Sequence, residues 1–402
     1  MPPPPADLRL LDGVRIVAFA TFLIGPAAVQ YLADMGADVI KIEEPSRGPH
    51  ERHWAGAGTF VNGVSAFFLM SNRNMRSVAI DLKSDAGRAA ALDLCAGADV
   101  VVSNFRPEVM TRLGLDYATL SARKPDLIYA SASGFGVESP YRHLPGQDLI
   151  LQSMTGLAAM TGPAGAPIAA GAAVVDQHAA ALLAMGILAA LHHRQATGEG
   201  QQLETTMVQA ALDLQSEAYA LHLNGAKLAR PERTLATAYH EAPYGFYAVS
   251  DGYIALSMSP IARISEALGG PPELAPYLDP TTAFSQRQEI ADALAPLLTR
   301  FTRDDLLALL REHGIWCAPV NDYAEALEDP IVEWLDPVAG FTHPQAGEVR
   351  VVKHPITYGT GSFAVRQVPA ELGEHTREVL AEAGYTDERI DALAREGVVR
   401  VV

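Results

Sequence analysis

Residues 14–42, VRIVAFATFLIGPAAVQYLADMGADVIKI, constrain the fold more than any other stretch. The largely apolar run at 14–19 is the pattern of a strand buried on both faces. Gly25-Pro26 then makes a turn, and proline suits the first turn of a helix reaching about Met35. Gly36 ends that helix, and 37–42 is a second strand, stopped by Glu43-Glu44-Pro45. Strand, helix and strand in this order form a βαβ unit, which demands a parallel sheet and a right-handed crossover. Such a unit invites a dinucleotide site, with Glu43 or Glu44 as the ribose-binding acid. The phosphate-binding turn of that motif needs three glycines, and this turn has only Gly25. That argues against a nicotinamide or flavin.

The alternation continues. Residues 77–82 predict a strand, Ser84 an N-cap, 85–96 a helix, and 98–103 the next strand. Asn104-Phe105-Arg106-Pro107 leads into a short helix ending near Leu113, and 126–131 is another strand, closing on Gly134-Phe135-Gly136. Between the two units, 50–68 is glycine-rich and aromatic, an irregular excursion crossing the sheet edge. Repeated strand–helix alternation places the N-terminal half in the doubly wound α/β class. Ligands of such sheets bind beyond the carboxyl ends of the strands. Lys83, Asn104 and 133–136 sit just past predicted strands, so they share that edge. Arg73, Arg76, Lys83, Arg88, Arg106 and Arg112 also crowd here, in a chain of net charge −17. They read either as solvated helix faces or as a cationic pocket for a phosphorylated ligand.

The stretch 146–203 is the second organising feature. Gly146-Gln147-Asp148 opens an apolar segment with helical spacing, followed by a Gly/Pro/Ala loop and a short β-branched run to Val175. From Asp176 an Ala/Leu-rich helix runs to about Arg194, stopped by Gly198-Glu199-Gly200. An acid between a small-residue strand and a buried helix sits where free N–H groups and the helix dipole favour its carboxylate form. Asp176 therefore reads either as a plain helix cap or as a carboxylate nucleophile.

A helix is predicted over 204–223, ended by Asn224-Gly225. The texture then changes. A hairpin with an Asp-Gly turn near 251–252, a Gly/Pro loop at 269–280 and amphipathic helices at 287–300 and 304–313 mark 225–335 as a smaller domain. Strand pattern returns at 349–352, and short helices follow at 373–384 and 387–398.

The charge of −17 makes nucleic acid and anionic membranes poor partners. The longest apolar runs, such as 179–191, fall short of a membrane span, and Met1 with Pro2 to Pro5 lacks a basic leader. Cys95 and Cys317 lie far apart without metal-ligand spacing, so no metal site is expected. A cytoplasmic protein follows by elimination.

Taken in order, LDGVRIVAFATFLIGPAAVQYLADMGADVIKIEEP, NRNMRSVAIDLKSDAG, DVVVSNFRPEVMTRLG, PGQDLILQSMTGL, RQATGEGQQLETTMVQAAL, DGYIAL and LGEHTREVLAEAGYTDERI resemble the family III CoA-transferases of the CaiB/BaiF type over nearly the whole chain. The resemblance implies a large Rossmann-like, mostly parallel α/β domain built from 1–224 plus 336–402, and a small α+β domain at 225–335. It also implies an interlocked homodimer. Asp176 matches the family's catalytic aspartate. The coenzyme A contacts match Ile80, Leu82, Lys83, Asn104, Phe105 and Arg112, with Leu23 and Ile24 in a weaker N-terminal turn beside Thr21. Lys83 and Arg112 would meet the nucleotide phosphates, and Phe105 the adenine. Glu44 stands where some relatives carry an arginine.

Coenzyme A enters as the acyl-CoA substrate, with no permanently bound cofactor implied. Asp176 would attack the thioester to give a mixed anhydride, and the thiolate would return to leave an aspartyl–CoA thioester. Oxyanion donors would come from the helix N-terminus and from Gln147. The racemases of the same family place a histidine at Gln147, and an amide cannot shuttle a proton. Gln147 therefore favours a transferase over a 2-methylacyl-CoA racemase, for which His143, His178 or Asp148 would have to substitute. A non-catalytic CoA-binding protein is the third alternative. The acyl group itself is not legible.

Overall fold

The computed structural model describes residues 7–402, so the prolines at 2–5 lie outside the described residues. The chain divides into two compact units. One comprises residues up to Leu151, Ala173–Leu214 and Pro337–Val402; the other comprises Gln152–Ala172 and Gln215–Asp336.

The first unit is built on a seven-stranded sheet of β1 (Arg15–Phe19), β2 (Asp38–Glu43), β3 (Met75–Ile80), β4 (Val100–Ser103), β5 (Ile128–Ser133), β6 (Gln201–Thr206) and β7 (Val399–Arg400). Their spatial order is β7-β3-β2-β1-β4-β5-β6. Neighbours run parallel throughout except β7, which pairs antiparallel to β3 through Val399↔Ile80. The chain builds outward from β1 to β3, then returns to the other side of β1 for β4 to β6. The order reverses between β1 and β4, which is where an open α/β sheet leaves a crevice.

The central strands are apolar at nearly every position because helices cover both faces. Ile16, Val17, Ala18 and Phe19 of β1 are fully buried, as are Val100, Val101 and Val102 of β4. The helices α1 (Ile24–Asp34) and α2 (Asp85–Ala96) fall where the apolar spacing predicts them, and Ser84 caps α2 by accepting the Gly87 amide hydrogen at 3.0 Å.

Two expected elements are corrected. The predicted helix 204–223 is instead β6 followed by helices Met207–Leu214 and Ser216–Leu223. Strand β6 lies at the sheet edge with one side to solvent, so QQLETT carries no apolar run to announce it. The small-residue strand predicted before Asp176 does not form: the helix α3 (Val174–Thr197) starts at Val174 and takes both valines into its first turn.

Helix α3 is 24 residues long, enough by length and composition to cross a membrane, contrary to the expectation that no segment reaches that length. Its Val175, Ala179, Leu183 and Ile187 are buried within the unit, four residues apart along one face. The expected strand at 349–352 forms in Gly347–Val352, paired antiparallel with Val338–His343 and outside the seven-stranded sheet.

The second unit has its own core. A three-stranded antiparallel sheet orders Cys317–Pro319, Gly252–Leu256 and Gly245–Val249, with the expected hairpin between the last two. Tyr247, Ile254, Ile264, Leu294, Leu298 and Leu310 fill the space beneath helices Ile261–Ala267, Arg287–Leu298 and Arg303–Glu312. This unit also takes 152–172 and 215–224, which the sequence assigned to the large domain. Gln215 and Tyr219 donate to the Thr155 carbonyl at 3.1 and 2.9 Å, and Arg230 donates to the carbonyls of Thr161 and Ala166 at 2.9 Å each.

Candidate active site

The crevice between β1 and β4 opens into a cavity of about 710 Å³ in the first unit. Its floor is a clip between the two strand ends. Asn104 accepts the Thr21 amide hydrogen on Oδ1 at 2.9 Å and donates from Nδ2 to the Thr21 carbonyl at 2.7 Å. The turn after β1 passes so close that a Cβ on Gly25 would lie 2.9 Å from the Asn104 Cγ, so that position requires glycine. Phe105 packs edge-on against Phe19 with ring centroids 6.4 Å apart.

One wall is aromatic. Phe22, at φ 58°, projects from the turn and lies 5.3 Å from the His50 ring, while Trp54 packs against Phe67 at 5.2 Å. The short turn His50–Arg52 that carries this wall is anchored from below. Glu51 is fully buried and accepts from Lys41 Nζ at 2.9 Å, and the same ammonium donates to Asn72 Oδ1 at 2.6 Å.

The same cavity holds two acids. Ala173, the residue preceding α3, has no side chain able to cap the helix. Asp148 does so from 27 residues upstream, accepting the amide hydrogens of Val175 and Asp176 on one oxygen at 2.8 and 3.1 Å. Asp176, in the first turn of α3, faces the cavity together with Gln147 and Asp148. Burial, and next the Asp148 charge, push the Asp176 carboxyl up to about 7. The expectation that the helix end holds Asp176 as a well-stabilised carboxylate is therefore corrected. The amides of Val175 and Asp176, expected as oxyanion donors, are also already engaged by Asp148.

Six of the predicted site residues line this one cavity: Asp176, Gln147, Leu23, Ile24, Asn104 and Phe105. Four do not. Ile80 is buried in the core, Leu82 packs against that core, and Lys83 and Arg112 are exposed. Glu44 closes its own turn, accepting from Ser46 Oγ at 2.8 Å and the Arg47 amide at 3.0 Å. His178 is bonded to Asp213 at 2.8 Å and lines no part of the cavity. His143 lines a neighbouring cavity of about 470 Å³, which shares Phe105, Ala132, Ser133 and Arg142 with the first.

Sequence reasoning missed the aromatic wall of Phe22, His50, Trp54 and Phe67, and the cavity-lining Arg142. The glycine-rich, aromatic texture of 50–68 was the available signal. Among the described residues no group of three or more His, Cys, Asp or Glu is placed to hold a metal ion.

A family model described as CoA-transferase family III matches residues 11–376. The chain is 32% identical over 386 residues to the succinate–glutarate CoA-transferase of Agrobacterium fabrum, covering 92% of this chain and 95% of that one. It is also 32% identical to the succinyl-CoA–D-citramalate CoA-transferase of Chloroflexus aurantiacus, covering 97% and 98%. Among solved structures it is similar to a CAIB/BAIF family protein from Brucella suis, with a TM-score of 0.79, 31% identity and coverage of 93% and 99%. The orthorhombic form of Rv3272 from Mycobacterium tuberculosis gives a TM-score of 0.80 at 28% identity, covering 93% and 99%.

Proposed function

The chain belongs to CoA-transferase family III and is an acyl-CoA:carboxylate CoA-transferase, and from that premise we propose that Asp176 is its nucleophile and that short dicarboxylic acids are its substrates. One observation carries the nucleophile assignment. Asp176 is a partly buried carboxylate facing a cavity at the reversal point of the sheet, with its acidity shifted into the working pH range.

The carboxylate attacks the thioester carbonyl of the donor, forming the aspartyl mixed anhydride and releasing the coenzyme A thiolate. The thiolate attacks the aspartyl carbonyl, which forms the Asp176–CoA thioester and releases the donor's carboxylate. The acceptor carboxylate attacks that thioester, forming a second anhydride and the thiolate. Attack of the thiolate on the acceptor's carbonyl yields the new acyl-CoA and frees Asp176.

Arg106 and Arg142 line the cavity and offer cationic partners to a second carboxylate. The names of the relatives, which include succinate, glutarate and citramalate, support the same class of acid. Gln147, which lines the same cavity as Asp176, supports transfer over racemisation, since its amide neither takes nor gives a proton. We place the enzyme in the cytoplasm as a homodimer. Apolar side chains left exposed on the first unit, such as Leu149 and Met185 at 61% each, support the second copy.

The test is mass spectrometry of the protein mixed with succinyl-CoA, without acceptor and then with glutarate. A coenzyme A adduct on the peptide containing Asp176, discharged by glutarate, is expected. Full activity in Asp176→Asn, or racemisation of a chiral 2-methylacyl-CoA without acceptor, overturns the reading.

A further inference from the structure

The caps of α3 are arranged against its own first-turn acid. An acid at a helix N-terminus is ordinarily stabilised by the free amide hydrogens and the dipole there. Here Asp148 takes the hydrogens of both Val175 and Asp176 at 2.8 and 3.1 Å, and its carboxylate faces the same cavity as the Asp176 carboxylate. The Asp176 anion is thus denied two donors and given a like charge as a neighbour.

Other titratable and charged groups do not cancel this arrangement. On α3 itself, His178 is turned to Asp213 of the helix Met207–Leu214. Helix α1, packed beside α3, presents Ile24 to Tyr31 without a charged residue. His50, Arg106 and Arg142 line the cavity, and the net outcome is still a carboxyl shifted upward by burial and by Asp148.

We propose that Asp148 is a positioning residue that withholds helix-end stabilisation from the free Asp176 anion, and so favours the uncharged, covalently modified Asp176. The inference rests on the nucleophile reading above. In the anhydride and the thioester the Asp176 carboxyl group itself carries no charge, so it escapes the desolvation penalty and the repulsion from Asp148, whereas the free carboxylate does not. Asp148 thereby raises the free-enzyme ground state and leaves the covalent intermediates untouched. It also fixes the first turn of α3, which aims Asp176 into the cavity.

The experiment separates charge from capping. Asp148→Asn keeps an oxygen placed to accept the two amide hydrogens but carries no charge, whereas the shorter Asp148→Ser loses both the charge and the reach. In full-length protein with 13C-labelled aspartate, the Asp176 resonance, identified by its loss in Asp176→Asn, is titrated without ligand. Its midpoint is expected to fall by about one pH unit in either variant. With succinyl-CoA alone, the occupancy of the Asp176–CoA adduct is expected to fall several-fold at neutral pH. A midpoint unmoved in both variants overturns the inference, as does unchanged adduct occupancy. Absence of any adduct in the unsubstituted enzyme overturns the nucleophile reading instead, while the ligand-free titration still decides what Asp148 does to Asp176.

Discussion

Gly134 and Gly146 lie backbone against backbone. A Cβ built on Gly134 would stand 2.6 Å from the Gly146 Cα, and one built on Gly146 would stand 2.4 Å from the Gly134 Cα. This contact joins the end of β5 to the segment that carries Gln147 and Asp148, and so sets the distance from the sheet edge to the cap of α3. Real Cβ atoms do not approach that closely, and the atoms in the way are backbone, so neither side can yield by a rotamer change.

Gly146→Ala is therefore expected to push Gln147 and Asp148 away from α3. Overpacking of this kind costs about 1–3 kcal/mol. The displacement should lower kcat by roughly 100-fold, because an offset of about 1 Å costs that much in a positioned site. Thermal melting and steady-state kinetics read the two effects separately. A variant with normal kcat means the contact has no bearing on the site.

Asn104→Ala removes both hydrogen bonds to the Thr21 turn and leaves a half-buried N–H and C=O without their partner. Each group left unsatisfied costs about 1–3 kcal/mol when fully buried. The turn carrying Phe22, Leu23 and Ile24 then loses its tether to β4. The expected result is a raised KM for the acyl-CoA with a smaller change in kcat. Asn104→Asp, which can accept from the Thr21 amide but cannot donate to the carbonyl, should fall between. Initial-rate kinetics across the three proteins provide the check.

The structure of the first unit was largely legible where strands are central. Strands β1, β2 and β4 are buried on both faces, so apolar runs mark them, and Ser84 announces α2 through its own side chain. Edge strand β6 was not legible, because Gln202 and Glu204 face water and its identity comes from hydrogen bonds to β5. The start of α3 was misread for a related reason. Its cap is Asp148, and a local reading of Gly, Ala and Val before Asp176 contains nothing to show a cap 27 residues upstream. The same distance in sequence hid the aromatic wall, whose members at 22, 50, 54 and 67 meet only after β1 and β2 pair. Asp176, by contrast, was visible through the long Ala/Leu helix whose first turn it occupies, although its acidity was not.

The pH dependence of turnover follows from Asp176. Its carboxyl is raised to about 7 by burial and then by Asp148, and the attack proposed for it requires the ionised form. Activity should therefore decline as pH falls through about 7 and level off above it. Stability runs the other way. With the folded value above the unfolded one, the native state binds the extra proton, so stability present at low pH is lost as pH rises from about 4 toward 7. Asp176→Asn should melt a few degrees higher than the parent at pH 8 and show little difference at pH 4. An activity profile flat from pH 5 to 8 would contradict the assignment.

Lys41 and Glu51 offer the sharpest separation of a structural role from a catalytic one. Both side chains are almost fully buried, at 3% and 0% exposure, and their ion pair of 2.9 Å holds the turn beneath His50 and Trp54. Removing one partner strands the other charge in the interior, which costs about 3–5 kcal/mol, whereas replacing both with apolar residues of similar volume is often neutral. Lys41→Met alone should therefore melt well below the parent. The double variant Lys41→Met with Glu51→Leu should recover most of that loss, leaving Asn72 as the unsatisfied member because it loses the 2.6 Å bond to the ammonium. The kinetic consequence differs from the thermal one. If the pair serves to hold the aromatic wall, the double variant keeps its adduct on Asp176 yet shows a raised KM for the carboxylic acid, since the wall can shift while Asp148 and α3 stay in place. A loss of kcat as large as the rise in KM in the double variant would mean instead that the buried pair reaches the proposed nucleophile, Asp176.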